Sequence, residues 1–331
     1  MSHSMTTDAE ATGTRHNSGS GSDADDLVAR MRSGERRAIA EAATECERAG
    51  VRPSPRLGAL MRAMQPHLGH ARLIGFTGPP GAGKSTLVNA LIAHVRSLDM
   101  KVGVIAVDPS SPISGGAILG DRVRMTAALD DDGVFVRSVA SRGALGGLSP
   151  AAVRVVDALD AAGFDVIMIE TVGTGQNEID IAEVADVRIV INAPGLGDDI
   201  QAMKSGLLEI ADILVVNKGD RPDADATLAQ LKSIAAIRSS KVPVLKCSAT
   251  TGDGIKALWD ATAPLAAAAI EIAPEIRRRR RARTLIARAA AEMLARRVRS
   301  GQIDRLGPLA DDLLEGRLSL DEAAKRLLEG T

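Results

Sequence analysis

Aromatic residues are almost absent from this chain of 331 residues, which has three Phe, one Trp and no Tyr. With so few rings, the chain has almost nothing on which the bases of a single-stranded nucleic acid could stack. Its core must be built from Ala, Val, Leu and Ile, a composition that suits buried parallel strands covered by helices. Because 45% of the residues are apolar, a sizeable core is still expected.

Cysteine is also scarce, since Cys46 and Cys247 are the only two and no Cys/His cluster accompanies them. This excludes a disulfide framework and a structural zinc site as expectations. Two free thiols fit a reducing compartment, so a cytoplasmic location is expected. No apolar run in the sequence reaches the length that crosses a membrane, and a membrane partner is not expected.

Neither sign of charge is in excess, because 41 basic residues are matched by 42 acidic ones and the net charge is -1. General nucleic-acid binders are usually basic, so no nucleic-acid partner is expected. The run RRRRRAR at residues 277–283 is a local exception. It is interpreted as a solvated helix start, with arginines available to a dimer or another partner, in preference to a nucleic-acid patch.

The order of patterns along the chain predicts four segments. Residues 1–24, rich in Ser, Gly and Thr, are predicted to be a disordered leader, and residues 25–70 form short amphipathic helices. Seven apolar runs then alternate with helical patterns, at 72–78, 101–108, 133–138, 164–170, 187–193, 212–218 and 242–249. This alternation predicts an α/β domain over residues 71–270 with a mostly parallel sheet. Residues 271–331 are predicted to be helical, with a long helix from Pro274 to about Gly301 and a capping box at Ser319 and Glu322.

A phosphate-binding motif follows the first predicted strand. GPPGAGKS at residues 78–85 matches G-x-x-x-x-G-K-[ST] between a strand and a helix, the context that the P-loop of nucleotide-binding proteins requires. Its glycines let backbone N–H groups turn toward phosphate oxygens, while Lys84 supplies a charge and Ser85 a hydroxyl for Mg²⁺. The predicted phosphate-binding residues are Gly78, Pro79, Gly81, Ala82, Gly83, Lys84, Ser85 and Thr86.

A second motif, NKGD at residues 217–220, indicates which base is bound. The Asp220 carboxylate can accept two hydrogen bonds from the N1–H and the exocyclic amine of guanine, a donor pair that adenine lacks. Asn217 and Lys218 complete the motif, and the CSA sequence downstream adds Ser248 and Ala249, whose N–H could bind guanine O6. Because this order follows a P-loop, GTP is predicted in preference to ATP.

The stretch ETVGTGQNE, residues 170–178, closes another predicted strand. Glu170 is predicted to face the metal shell through water, and the Gly173 N–H to sense the γ-phosphate. The residue after Gly173 is Thr174, where a Ras-type enzyme has its water-orienting Gln. Gln176 lies two residues further on and is a candidate for that role, although the spacing alone does not assign it.

Two further acids, Asp108 and Asp121, bracket a Gly-rich segment after the second predicted strand. Together they suit a region that binds Mg²⁺ and water and changes with the nucleotide. Taken alone, the pattern fits an ordinary solvated loop equally well.

Four blocks in this order resemble one family. DPSSPISGGAILGDRVRM, ETVGTGQNE, GLGDDIQAMKSGLLEIADI and NKGD are similar to blocks of the MeaB/ArgK G proteins, and the likeness extends from about residue 30 to the C-terminus. One departure is Ser114, where Thr is expected, and this keeps the hydroxyl. The resemblance implies a P-loop G domain with N-terminal helices and a C-terminal helical dimerisation segment.

The same resemblance implies a function. Members are GTPases associated with adenosylcobalamin-dependent methylmalonyl-CoA mutase; they gate cofactor loading and protect the mutase. It implies GTP/GDP and Mg²⁺ as ligands, a homodimer, partner-stimulated hydrolysis, and a third nucleotide-sensing region at residues 193–204. The metal ligands it implies are Ser85, Asp108, Asp121 and Glu170, and the catalytic set is Lys84, Asp108, Asp121, Glu170, Gly173 and Gln176. Two alternatives remain: an ATP-dependent kinase of the ArgK label acting on transport proteins, and a metallochaperone G protein.

Overall fold

The computed structural model describes residues 19–48, 54–108, 131–140, 148–171, 181–195, 207–237, 242–272, 274–301 and 304–329. Its centre is one sheet with the strand order β3-β2-β4-β1-β5-β6-β7. The strands are β1 (Arg72–Thr77), β2 (Val102–Asp108), β3 (Val134–Ala140), β4 (Val166–Thr171), β5 (Val187–Asn192), β6 (Ile213–Val216) and β7 (Val244–Lys246). All pairs of neighbouring strands are parallel, which confirms the predicted α/β fold.

Each of the seven predicted strands is present, and their ends differ from the predicted ones by three residues at most. Buried runs of branched residues make them recognisable, because a parallel strand covered on both faces needs no polar alternation. From β1 the sheet continues through β4, β2 and β3 on one side and through β5, β6 and β7 on the other. Where the strand order changes direction in this way, α/β proteins bind their ligands outside the carboxyl ends of the strands.

Helices cover both faces of the sheet. On one face lie α4 (Lys84–Arg96) and, later in the chain, α9 (Ile255–Glu271), which share a core with Ile74 and Phe76 of β1. The other face is covered by α5 (Pro150–Ala161) and α6 (Ile181–Val184), which share a core with Leu73. Neighbouring residues of β1 thus point to opposite faces, as the period of a strand requires.

Three N-terminal helices extend the second of these cores. They are α1 (Gly19–Arg32), α2 (Arg36–Arg48) and α3 (Pro55–Met64), and a single 3₁₀ turn follows at Gln65–His67. Met31, Ala42 and Leu60 pack in one cluster with Val153 of α5. Helix α1 begins at Gly19, inside the stretch 1–24 that was predicted to be a leader. These helices therefore cover α5 and share its core.

The remaining helices are α7 (Leu207–Ile210) and α8 (Ala224–Ile237) near the β6–β7 edge, and α10 (Pro274–Arg299), α11 (Leu306–Leu314) and α12 (Leu320–Glu329) at the C-terminal end. The predicted start of the long helix at Pro274 is confirmed. So is the capping box, since the Ser319 N–H donates to Glu322 Oε2 (2.9 Å) and the Glu322 N–H donates to Ser319 Oγ (3.3 Å). None of the described helices is both long and apolar enough to span a bilayer.

The expectation of a solvated arginine run is wrong for two of its members. Arg277 is only 7% exposed and Arg281 only 4%. Four residues apart, they lie on one face of α10, and this face packs against the domain. Arg281 Nη1 lies 3.1 Å from Asp157 Oδ1, and Arg277 forms an ion pair with Asp186. The run therefore attaches the C-terminal helix to the α/β domain.

Candidate nucleotide-binding site

The loop between β1 and α4 has a conformation that its glycines make possible. Gly78, Gly81 and Gly83 have φ angles of 145°, 79° and 82°, which other residues rarely adopt. A Cβ atom on Gly78 would lie 2.0 Å from the Ile191 carbonyl oxygen, so no side chain fits where the loop passes β5. Helix α4 begins immediately after this loop, and its N-terminal N–H groups form a site for phosphate.

Lys84 lies inside this loop and is only 8% exposed. Its ammonium group donates to the carbonyl oxygens of Gly78 (2.8 Å) and Pro79 (3.1 Å). The loop thus holds a positive charge next to the backbone that would cradle the phosphates. The predicted residues Ala82 and Thr86 belong to the same loop and to the first turn of α4.

Ser85 joins the P-loop to the end of β4. Its hydroxyl donates to Glu170 Oε1 at 2.6 Å, and Glu170 is 5% exposed. The sheet register explains this contact, because Glu170 pairs with Phe76 of β1, two residues before the P-loop begins. The structure therefore brings together two of the predicted metal-shell residues.

Asp108 ends β2 at the same edge of the sheet and is 3% exposed. In the register of β2 with β4, Ala106 lies opposite Glu170, so Asp108 is two residues further along and projects from the same face. Asp121, Gly173 and Gln176, the other predicted members of this set, lie outside the described residues.

The oxygen donors at this edge fit a magnesium ion that is shared with a nucleotide. Mg²⁺ usually takes one or two protein carboxylates and completes its shell with water and substrate phosphates. Ser85, Asp108 and Glu170 supply one hydroxyl and two carboxylates. Within the described ranges no group of three or more His, Cys, Asp or Glu residues is close enough to hold a metal ion. The described residues therefore do not form a metal site from protein ligands alone.

Asn217, directly after β6, connects the base-binding loop to the P-loop. Its Nδ2 donates to the carbonyl oxygens of Ala82 (2.9 Å) and Gly83 (3.1 Å), and its Oδ1 accepts from the Ala249 N–H (3.3 Å). Lys218, with a left-handed φ of 56°, donates from Nζ to the Gly81 carbonyl oxygen at 2.7 Å. Both side chains thus hold the two loops in one arrangement.

Asp220 is exposed, so that a ligand can reach it, and its carboxylate is oriented by its neighbours. Ser248 Oγ donates to Asp220 Oδ1 at 2.7 Å, and this hydrogen bond holds the pKa of Asp220 below its usual range. The ionised carboxylate can only accept hydrogen bonds, as recognition of guanine requires. The Thr250 hydroxyl lies 3.1 Å from Ser248 Oγ and extends the network. The sequence offered no signal for Thr250, because it lies just outside the S-A pair.

Comparison with known proteins places this geometry in a family. The family model described as "Methylmalonyl Co-A mutase-associated GTPase MeaB" matches residues 39–302. A protein of Pyrococcus horikoshii that is named as a GTPase is 47% identical over 243 residues, 71% of this chain and 75% of that protein. The GTPase ArgK of Escherichia coli K12 is 40% identical over 242 residues, 71% of this chain and 73% of that protein.

A solved structure is similar over almost the whole chain. It is described as a LAO/AO transport system kinase, covers 93% of this chain and 97% of its own, and superposes with a TM-score of 0.69 at 26% identity. The resemblance to MeaB/ArgK proteins is thereby confirmed, and so is the prediction of an enzyme that hydrolyses GTP. The chain belongs to the MeaB family, which is named for its association with methylmalonyl-CoA mutase, and it is a P-loop GTPase that binds GTP and GDP.

Proposed function

We propose that this GTPase is a chaperone of an adenosylcobalamin-dependent acyl-CoA mutase, of which methylmalonyl-CoA mutase is the first candidate. It gates loading of the cofactor into the mutase and protects the loaded enzyme. The observation that carries the proposal is the family match over residues 39–302, because the link to a mutase comes from that family. The arrangement of the nucleotide site supports the GTP-dependent part.

The proposed roles within the site follow from the contacts. The P-loop N–H groups and Lys84 bind the β- and γ-phosphates, and Ser85, Asp108 and Glu170, with Asp121, hold Mg²⁺. When bound, this ion neutralises negative charge on the phosphates. Glu170 already accepts the Ser85 hydroxyl, so the two ligands lie close enough to share one ion. The roles of Gly173 as γ-phosphate sensor and of Gln176 toward the attacking water remain part of the proposal.

Guanine specificity distinguishes this proposal from the alternative of an ATP-dependent kinase, which the description of the similar LAO/AO structure suggests. Asp220, oriented by Ser248, offers only acceptors, and these do not match the adenine edge. Replacing Asp220→Asn puts a donor at this position and should move the preference from GTP to XTP. Equal turnover of ATP and GTP by the unmodified protein would contradict the GTPase assignment and favour the kinase.

The metallochaperone alternative finds no support among the described residues, which contain no cluster of three metal-binding side chains. Titration with Ni²⁺ and Zn²⁺, in the absence of nucleotide, tests it directly. A tight site with one ion per chain would revive this alternative, and weak, unsaturable binding would remove it.

The mutase itself provides the decisive test. The chain is immobilised with GDP or with a non-hydrolysable GTP analogue, and binding of purified methylmalonyl-CoA mutase is measured for both states. We expect binding that differs between the states. In the Asp220→Asn variant the same difference should appear with xanthine nucleotides and disappear with guanine nucleotides, which assigns the effect to this site. A mutase that bound in neither state would exclude the chaperone role.

We propose further that residues 271–331 form the dimer contact of a homodimer. Apolar side chains on these helices are exposed in the single chain, among them Ile286 (69%), Met293 (59%) and Leu314 (84%). Sedimentation equilibrium should show a dimer that Ile286→Glu and Met293→Glu weaken. Leu98→Glu is the control, because Leu98 is also exposed (48%) but follows α4 and does not belong to residues 271–331. A monomer at all concentrations would refute this contact.

A further inference from the structure

The turn after β7 is closed by its own hydrogen bonds, and these fix the position of Ser248. The Ser248 N–H donates to the Asp253 carbonyl oxygen (2.9 Å), and the Ser248 carbonyl oxygen accepts the Gly252 N–H (2.9 Å). A backbone that is hydrogen-bonded on both its N–H and its C=O side has little freedom to shift. Ser248 is only 1% exposed, so its hydroxyl is held at a defined place beside the base-binding loop.

The Ser248 hydroxyl makes three contacts, which use all of its hydrogen-bonding capacity. Its oxygen lies 2.7 Å from Asp220 Oδ1 and 3.1 Å from Thr250 Oγ1, and it accepts the Thr251 N–H at 3.3 Å. A serine hydroxyl has one proton and two lone pairs, and an ionised carboxylate can only accept. The single proton of Ser248 is therefore directed to Asp220, and in the contact between the two hydroxyl groups Thr250 is the donor.

These contacts form a chain of hydrogen bonds with one direction, from Thr250 through Ser248 to Asp220. The Thr250 O–H and the Thr251 N–H occupy both lone pairs of Ser248 Oγ, which leaves its proton to point at the carboxylate. Hydrogen bonds in such a chain polarise and strengthen one another. Without the Thr250 hydroxyl, one lone pair of the buried Ser248 would lose its donor, and the bond to Asp220 would weaken.

We propose that Thr250 is a positioning residue for guanine, which acts through Ser248 to hold the Asp220 carboxylate where both of its oxygens accept from the base. The inference rests on the proposed role of Asp220 in base recognition. Guanine offers two donors, N1–H and the exocyclic amine, whereas the base of inosine keeps N1–H and lacks the amine. A carboxylate that turns out of this orientation cannot serve both donors, so Thr250 should determine how well the site distinguishes GDP from inosine diphosphate (IDP).

Thr250→Val tests this role, because it replaces the hydroxyl by a methyl group of similar shape that also keeps water from taking its place. Thr250 is exposed, so the change does not disturb the core. Thr250→Ser keeps the hydroxyl. Thr251→Val is the matched control in the same turn: the lost hydroxyl donates to Asp253 Oδ2 (2.7 Å), and the backbone N–H that donates to Ser248 is retained.

For each full-length protein the dissociation constants of GDP and IDP are measured, and the constant for IDP divided by that for GDP gives the discrimination. We expect Thr250→Val to lower this ratio by about three- to tenfold, the range that one hydrogen bond contributes, because GDP binding weakens more than IDP binding. Thr250→Ser should restore most of the ratio, and Thr251→Val should leave it unchanged. A role of Thr250 in the stability of the turn alone would weaken both nucleotides equally, and an unchanged ratio in Thr250→Val would overturn the inference.

A double-mutant cycle with Ser248→Ala tests the route by which Thr250 acts. If Thr250 acts through Ser248, Thr250→Val has no further effect on the ratio once Ser248 has been replaced by Ala. An effect of Thr250→Val that is equally large with and without the Ser248 hydroxyl would overturn the proposed route.

Asp220→Ala, measured in parallel, distinguishes failure of the inference from failure of the proposed function. If Asp220→Ala abolishes the discrimination while Thr250→Val leaves it intact, Thr250 has no positioning role and base recognition by Asp220 stands. If Asp220→Ala leaves the ratio unchanged, Asp220 does not read the exocyclic amine, and the role of Thr250 fails with it.

Discussion

The buried carboxyl of Asp157 makes stability depend on pH in a predictable direction. Asp157 lies on α5, is 6% exposed, and accepts from Arg281 Nη1 at 3.1 Å. Burial raises its pKa from 3.8 to about 6; Asp160 on the same helix adds to the rise, whereas Arg281 and Arg154 oppose it. The cost of removing the carboxylate from water, together with the repulsion from Asp160, therefore exceeds the attraction of the two guanidinium groups.

This shift has a definite sign. Between pH 3.8 and about 6 the folded protein retains a proton that the unfolded chain has released. The free energy of unfolding must fall as the pH rises through this window, because the unfolded state binds fewer protons. A difference of about two pKa units corresponds to about 3 kcal/mol, fully present below pH 4 and lost above pH 6.

The assay is urea unfolding of the unmodified protein and of Asp157→Asn between pH 4 and pH 7.5. The amide cannot titrate in this range, and the other groups titrate in both proteins, so the difference between their unfolding free energies isolates Asp157. We expect the unmodified protein to lose about 3 kcal/mol relative to the variant as the pH rises. If the difference were flat, or rose with pH, the attraction of Arg281 would outweigh burial and the reasoning would be refuted.

Two further predictions concern the loops of the nucleotide site. Asn217→Asp keeps the shape of the side chain but replaces the donor to the Ala82 and Gly83 carbonyl oxygens by a carboxylate. Nucleotide affinity, measured by fluorescence titration, should therefore fall by roughly 30-fold, or about 2 kcal/mol. Unchanged affinity would show that the link between the two loops is dispensable. Gly83→Ala should abolish GDP binding without unfolding the chain, because its Cβ would lie 2.6 Å from Asn217 Nδ2. Gly163→Ala is the control, since it has the same kind of φ (84° against 82°) with open space around it, and equal loss of binding in both would contradict the steric argument.

The fold and the P-loop could be predicted because their signals are local. A buried parallel strand is a short run of branched residues, and the loop between β1 and α4 needs glycine at defined positions such as Gly78 and Gly83. The sequence also predicted that Ser85 and Glu170 share a site, although they are 85 residues apart. Their distance along the chain gives no sign of this proximity; it was the known role of both motifs at a phosphate-bound metal that indicated it.

Burial of the arginine run could not be predicted from any local pattern. Arg281 contacts Asp157 and Asp160, which are 124 and 121 residues away, and Arg277 contacts Asp186, 91 residues away. In a sequence window these arginines have the same surroundings as their solvated neighbours. Only the packing of α10 against α5 and α6 decides which of them lose contact with water.

Arg277 also helps to fix the start of β1, the strand whose other end leads into the nucleotide site. The three residues before this strand are fixed by Asp160, which accepts the N–H groups of Gly69 (2.7 Å) and Ala71 (2.9 Å), and by Arg277, which donates to the carbonyl oxygens of the same two residues (3.0 and 2.9 Å). At the other end, the strand passes into the loop at Gly78, where contact with β5 leaves no room for a Cβ atom. Backbone groups that are hydrogen-bonded on both the N–H and the C=O side have little freedom to shift. The P-loop therefore extends from a strand whose backbone is held at both ends.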